Sequence, residues 1–165
     1  MGIPVVAFEV ARERYGIEAA CVVEVVPAVP LRAVPGTVPG VAGLLRFRGE
    51  LVPVVDLGVV WAGRPSPGRL SSRIVVCELA TSEGAAADEA SRARPRIGLL
   101  AERVLRLASV DPDAAEAGDG PKTPGARGLG RIVRDGEALL QLVRVEDLVP
   151  ADVLATLVRE AGAAS

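Results

Sequence analysis

Few side chains in these 165 residues could do bond-making chemistry, and they are scattered. Histidine is absent altogether. That removes the commonest general base, the commonest zinc ligand and the usual hydrolytic triad. The two cysteines, Cys21 and Cys77, lie far apart in the chain, each inside an apolar run. They cannot complete a zinc site alone, and unpaired cysteine packs as a small hydrophobe. The expectation is two buried, reduced thiols rather than a disulfide. Glu24, Asp56, Glu78 and Asp147 each adjoin apolar runs. Paired carboxylates can exchange protons with a substrate, but they can equally end strands or pair with arginines. GARGLG (125–130) has the wrong glycine spacing for a phosphate loop. DPDAAEAGDG (111–120) has Ala115 where a calcium loop places a third ligand and Glu116 where it places its glycine. No feature here rises to an enzyme, and neither a metal nor a cofactor is expected.

Half of the residues are hydrophobic, chiefly Val, Leu and Ala, and the only aromatics are Phe8, Tyr15, Phe47 and Trp61. An aliphatic core follows. So few rings argue against base-stacking platforms, and a net charge of -2 argues against a polycation seeking phosphates. Lys122 is the only lysine, so nearly every positive charge is a guanidinium able to fork onto a carboxylate. No apolar run approaches the ~20 residues of a membrane helix. The opening MGIPVVAFEVARERYG carries charges where a signal peptide would stay apolar, and Val6 stands where a myristoylation signal wants Ser or Thr. A cytoplasmic location is expected, with no membrane insertion and no nucleic-acid partner.

The elements able to position these residues are mostly short strands. VVAFEV (5–10) alternates, with Val6, Phe8 and Val10 on one face, and predicts a half-buried strand followed by a tight charged turn and a second strand to about Ile17. EAACVVEVV (18–26) is β-branched, yet Ala19, Val22, Val23 and Val26 fit one helical face; a short helix is expected. PAVPLRAVPGTVPG (27–40) must be an extended loop, since proline lacks a ladder donor. GVAGLLRFRG and ELVPVVDL make a hairpin, with Pro53 marking an edge or a bulge, followed by a turn of helix. SRIVVCELA (72–80) is a strand. RIGLLAERVLRL (96–107) begins as one and turns helical with Leu100, Val104 and Leu107 aligned. TSEGAAADEASRARP (81–95) and residues 109–128 read as mobile loops. LGRIVRDGEALLQLV is a second hairpin, with Asp135-Gly136 where a type I′ turn sits. ADVLATLVREAG is an amphipathic terminal helix with Val153, Leu154, Leu157, Val158 and Ala161 as its stripe. Many short strands with tight turns predict a mainly β fold of barrel type. A loose internal similarity relates VVAFEV…GELVPVVDL to RIVVCEL…GEALLQLV and suggests two barrel-like halves.

One block is distinctive. GLLRFRGELVPVVDL (43–57) resembles the signature of CheW-type chemotaxis coupling domains, through Gly43, Arg48, Gly49, Pro53, Asp56 and Leu57. FEVARERYGIEAACVVEVV, the proline loop, RIVVCEL, RIGLLAERVLRL and GEALLQLVRVEDLV are similar to the rest of that domain, so the resemblance spans about residues 5 to 149. Arg46 stands where the family usually has Asn, and Phe47 where it has Leu. The resemblance implies two packed five-stranded SH3-like β-barrels with short helices and a C-terminal helix, intertwined in a single domain over 1–165. It implies an adaptor without catalysis, joining the cytoplasmic tip of a methyl-accepting chemoreceptor to the regulatory domain of the histidine kinase CheA. No kinase core or receiver accompanies it, which points to a free-standing coupling protein recruited to membrane-associated receptor arrays. A second reading is a CheW-like adaptor of a non-flagellar pathway, serving motility or development and linking a kinase to another sensor.

The resemblance places Arg48 at a receptor-facing groove, paired with Glu24. Val23, Val25, Leu44 and Val54 would line an apolar groove for a receptor helix; the alternative for these four is ordinary core. Arg48 could equally serve only as a cap over Glu24. Gly43, Gly49, Asp135 and Gly136 are expected to serve turns.

Overall fold

The computed structural model describes residues 2–34, 40–79, 94–111, 113, 115–117, 127–136, 138–150, and 153, 156, 157 and 159. Eleven strands are formed by the described residues: β1 (Ile3–Val10), β2 (Glu13–Glu18), β3 (Val22–Pro27), β4 (Val41–Phe47), β5 (Glu50–Asp56), β6 (Arg73–Glu78), β7 (Arg96–Ala101), β8 (Arg103–Val110), β9 (Ala115–Ala117), β10 (Leu129–Asp135) and β11 (Ala138–Val143). One short helix, α1 (Leu57–Ala62), follows β5, and 3-10 turns span Ala19–Cys21 and Val145–Asp147. The mainly β expectation holds. The strands form a terminal sheet ordered β8-β1-β2-β11-β10-β9 and a central sheet ordered β3-β6-β7-β5-β4.

The two sheets share one plan. Leaving out the three-residue β9, each holds an antiparallel pair (β1–β2 or β6–β7) with a hairpin joined in parallel to its second strand: β11 to β2, and β5 to β7. A fifth strand, β8 or β3, lies antiparallel to the first. The ladders correspond pair by pair: Ala7 opposite Gly16 matches Val76 opposite Gly98. Arg106 opposite Ala7 matches Glu24 opposite Val76, and beside each the register slips by one residue. The internal similarity is therefore real, but neither half of the chain builds one of the two five-stranded units alone. The first half of the chain gives β1 and β2 to the terminal sheet and β3, β4 and β5 to the central one; the second half does the reverse.

The exchange explains the apolar runs. Alternate residues of a strand point to opposite faces, and here both faces are buried. On β1, Val5 and Ala7 fill a core within the terminal sheet, while Val6, Phe8 and Val10 fill a second core shared between the sheets. On β6, Ile74 and Val76 pack within the central sheet, and Val75 and Cys77 enter the shared core. So β1 is not half-buried as its alternation suggested. Each sheet also curls: the ion pair Arg106–Asp135 links β8 to β10, and Glu24–Arg48 links β3 to the β4–β5 tip. Those contacts bring strands from opposite flanks of each sheet together.

Several local expectations need correction. Residues 18–26 form a 3-10 turn and then strand β3, because Val22–Pro27 pairs with β6, where β-branched side chains fit a pleated surface. The latter half of 96–107 is strand β8, not helix; Leu107 is 66% exposed, so the supposed helical stripe does not exist. Pro53 is not on an edge strand overall, since β5 lies between β7 and β4. Its pairing with β7 starts only at Val54, and the register slip between Val41 and Gly43 lies beside it, so the missing amide costs no ladder bond there. The second hairpin turns one residue later than expected: Asp135 is the last strand residue, paired with Ala138, and Gly136 opens the turn at φ 63°. Within 109–128, β8 runs on to Val110 and β9 adds Ala115–Ala117. Residues 80–93 and most of 111–126 lie outside the described residues. In the terminal segment Val153, Thr156, Leu157 and Arg159 are helical and Leu157 is buried; the rest of that stripe lies outside the described residues.

Candidate functional site

The β4–β5 connection is the shortest a hairpin allows. Phe47 pairs with Glu50, leaving only Arg48 and Gly49 in the loop. Both have positive φ, 49° and 80°, as a type I′ turn requires. Gly49 suits that conformation, because it has no Cβ. Arg48 does not: a side chain in the left-handed region costs roughly 1–2 kcal/mol. Its guanidinium projects from the tip and meets the Glu24 carboxylate on β3 at 3.7 Å. The two side chains are 58% and 46% exposed, so the pair itself contributes only about 0–1 kcal/mol.

A network surrounds this tip. The Arg48 guanidinium lies 4.9 Å from the centre of the Phe47 ring, and Arg96, from β7, lies 5.7 Å from the same ring. Both distances fall within reach of a cation–π attraction. Arg96 in turn approaches Glu50 at 3.7 Å and Glu78 at 3.6 Å. Two arginines, three glutamates and one buried ring thus tie β3, β6, β7 and the hairpin together. Neither Phe47 as a ring shared by two cations nor Arg96 was legible as a partner of Arg48, because nearly fifty residues separate the two arginines in the chain.

The remaining candidates divide by burial. Val54 is fully buried and Leu44 almost so. Val23 and Val25 on β3 are only partly buried and flank Glu24, with Val23 packing on the central-sheet core and Val25 on the shared one. Gly43 was expected in a turn; it lies in β4, where the Arg32 carbonyl oxygen would come within 2.7 Å of any Cβ. That approach comes from the proline loop, whose Arg32 exchanges two backbone hydrogen bonds with Leu44. Asp56 is structural: it caps α1 by accepting from the Gly58 amide at 2.9 Å, and also accepts from the Ser66 hydroxyl at 2.6 Å and the Ser66 amide at 3.0 Å. Its carboxylate is committed to these donors.

The described residues bring no three metal-ligating side chains together. A cleft of about 170 Å³ lies between β2, β10 and β11, lined by Glu18, Arg131, Leu142 and Arg144 among others. Ligand pockets usually enclose ~300–1,000 Å³. No helix of the described residues is long and apolar enough to cross a membrane.

The sequence matches the CheW-like domain family over residues 4–153. The chain belongs to that family. CheW-like domains are non-catalytic scaffolds of chemotaxis signalling. No curated protein matches the sequence significantly. Among solved structures, the fold is similar to that of the scaffolding protein TtCheW from Thermoanaerobacter tengcongensis, with a TM-score of 0.73. Identity to it is 21%, over 92% of this chain and 90% of that one. At that identity the likeness carries the fold, and the surface of this CheW-like chain must be read from its own residues.

Proposed function

We propose that this CheW-like scaffold joins the cytoplasmic tip of a methyl-accepting chemoreceptor to the regulatory domain of the histidine kinase CheA, working in the cytoplasm at membrane-associated receptor arrays. Arg48, Glu24, Val23 and Val25 form the receptor-docking surface, and the buried Leu44 and Val54 hold the hairpin rigid. The carrying observation is Arg48 itself. An arginine held at positive φ costs stability, and its exposed ion pair offsets little of that cost. Strain of this kind is retained where a partner uses it. The flanking valines supply partly exposed apolar surface of the sort that receives one face of a helix.

The test is calorimetric titration of the purified chain with receptor-tip helices and, separately, with CheA regulatory domain. Arg48→Glu should weaken the receptor interaction at least tenfold and leave the kinase interaction within twofold. Unchanged receptor affinity in that variant would remove Arg48 from the interface.

A further inference from the structure

Cys21 and Cys77 are distant in sequence but adjacent in the fold. The β3–β6 ladder sets Val22 opposite Cys77, and Cys21, at the end of the 3-10 turn, packs against the shared core that contains Cys77. Both thiols are free, and Cys77 donates to the Val75 carbonyl at 3.7 Å. Cys21 also donates to the Glu18 carbonyl at 3.1 Å. The environments differ sharply. Cys77 is wholly buried, whereas Cys21 keeps part of its surface in solvent, contrary to the expectation of two buried thiols. The neighbouring Cys77 thiol holds the Cys21 thiol below its ordinary range, against the opposing effects of burial, Glu146 and Glu18. The same proximity, then burial, pushes Cys77 up. One sulfur is thus accessible and more acidic, and the other is buried beside it.

We propose that Cys21 is a site of oxidation by hydroperoxides and that Cys77 resolves it, closing an intramolecular disulfide that staples edge strand β3 to β6. The Cys21 thiolate attacks one peroxide oxygen; the O–O bond breaks, leaving a sulfenic acid on Cys21 and an alkoxide or hydroxide that takes up a proton. The Cys77 sulfur, giving up its own proton, then attacks the Cys21 sulfur; the S–O bond breaks and the oxygen leaves as water. Two thiols lose two electrons, and the peroxide becomes alcohol and water. The staple lies just before Val23, Glu24 and Val25 of β3, although the oxidation does not depend on what that strand docks.

Hydrogen peroxide in slight excess should remove two hydrogens from the intact mass of the monomer, reversibly by dithiothreitol, with the Cys21–Cys77 crosslink recovered by peptide mapping. Cys77→Ser should instead accumulate a sulfenic acid at Cys21 that a dimedone probe captures, and Cys21→Ser should abolish both products. Mapping on the wild-type chain stands alone if a variant fails to fold. Peroxide that leaves the wild-type chain unchanged while oxidising glutathione in the same tube overturns the proposal. So does oxygen addition at Cys21, or dimer formation, without the internal crosslink.

Discussion

Replacing Arg48 by alanine and, separately, by glycine distinguishes what the guanidinium does for the fold from what it does for a partner. Either change removes the 3.7 Å contact with Glu24 and the cation–π contact with Phe47. The first contributes about 0–1 kcal/mol and the second about 0.5–1 kcal/mol at an exposed site. Together they amount to roughly 1 kcal/mol. The two variants differ in the backbone. At φ 49° alanine retains the left-handed strain, whereas glycine removes roughly 1–2 kcal/mol of it and gives back about 0.5–1 kcal/mol as extra freedom of the unfolded chain. Arg48→Ala should therefore lower the thermal midpoint by about 2–4 °C, the shift that ~1 kcal/mol produces in a chain of this size. Arg48→Gly should stay close to the parent midpoint. Receptor-tip affinity, measured by calorimetry well below both midpoints, should fall by the same factor in the two variants. If affinity instead follows stability, lost in the alanine form and kept in the glycine form, the turn's geometry and not the guanidinium carries docking, and the reasoning fails.

Asp56→Ala leaves three donors without their acceptor at a nearly buried helix cap, and should cost about 2–4 kcal/mol in urea unfolding; Asp56→Asn, which keeps one carbonyl oxygen, should recover part of that. Burial first, and the Glu13 carboxylate second, push the Tyr15 phenol above its ordinary 10.0. The folded state then keeps a proton that the unfolded chain has lost, so this contribution is complete below pH 10 and disappears as pH rises through the folded value. Tyr15→Phe should accordingly flatten the alkaline fall of the thermal midpoint; an unchanged slope above pH 10 would mean the phenol does not titrate with unfolding. A cut after the fully exposed Leu70 separates the two halves of the chain without touching a strand. Each fragment should be unfolded alone by circular dichroism, and mixing them should restore the β signal, since each sheet needs strands from both; a fragment that folds by itself contradicts the exchanged topology.

Part of this molecule was legible residue by residue. Gly49 after Arg48, between two apolar runs, announces a two-residue hairpin on local steric grounds, and Asp56 ahead of an apolar turn announces a helix start. Local signals misled where two periodicities coincide. Ala19, Val22, Val23 and Val26 fit one helical face, yet Ala19 stays in a 3-10 turn and the three valines extend as a strand because β6 offers Val22–Pro27 a ladder. Leu100, Val104 and Leu107 fail in the same way, Leu100 being held in β7 beside β6 and the other two in β8 beside β1. On β10 the pattern found the hairpin and missed its register by one residue.

The sequence by itself determined that this chain would be stranded, tightly turned and aliphatic inside, because strand propensity, turn chemistry and apolar content act over a few neighbouring residues. Only the tertiary structure decided that both faces of β1 and β6 are buried, that Arg96 shares a ring with Arg48, and that Cys21 meets Cys77. Those contacts exist because each half of the chain builds part of the other's sheet, and pairing between strands so far apart is set by the packing of the whole rather than by any local run of residues.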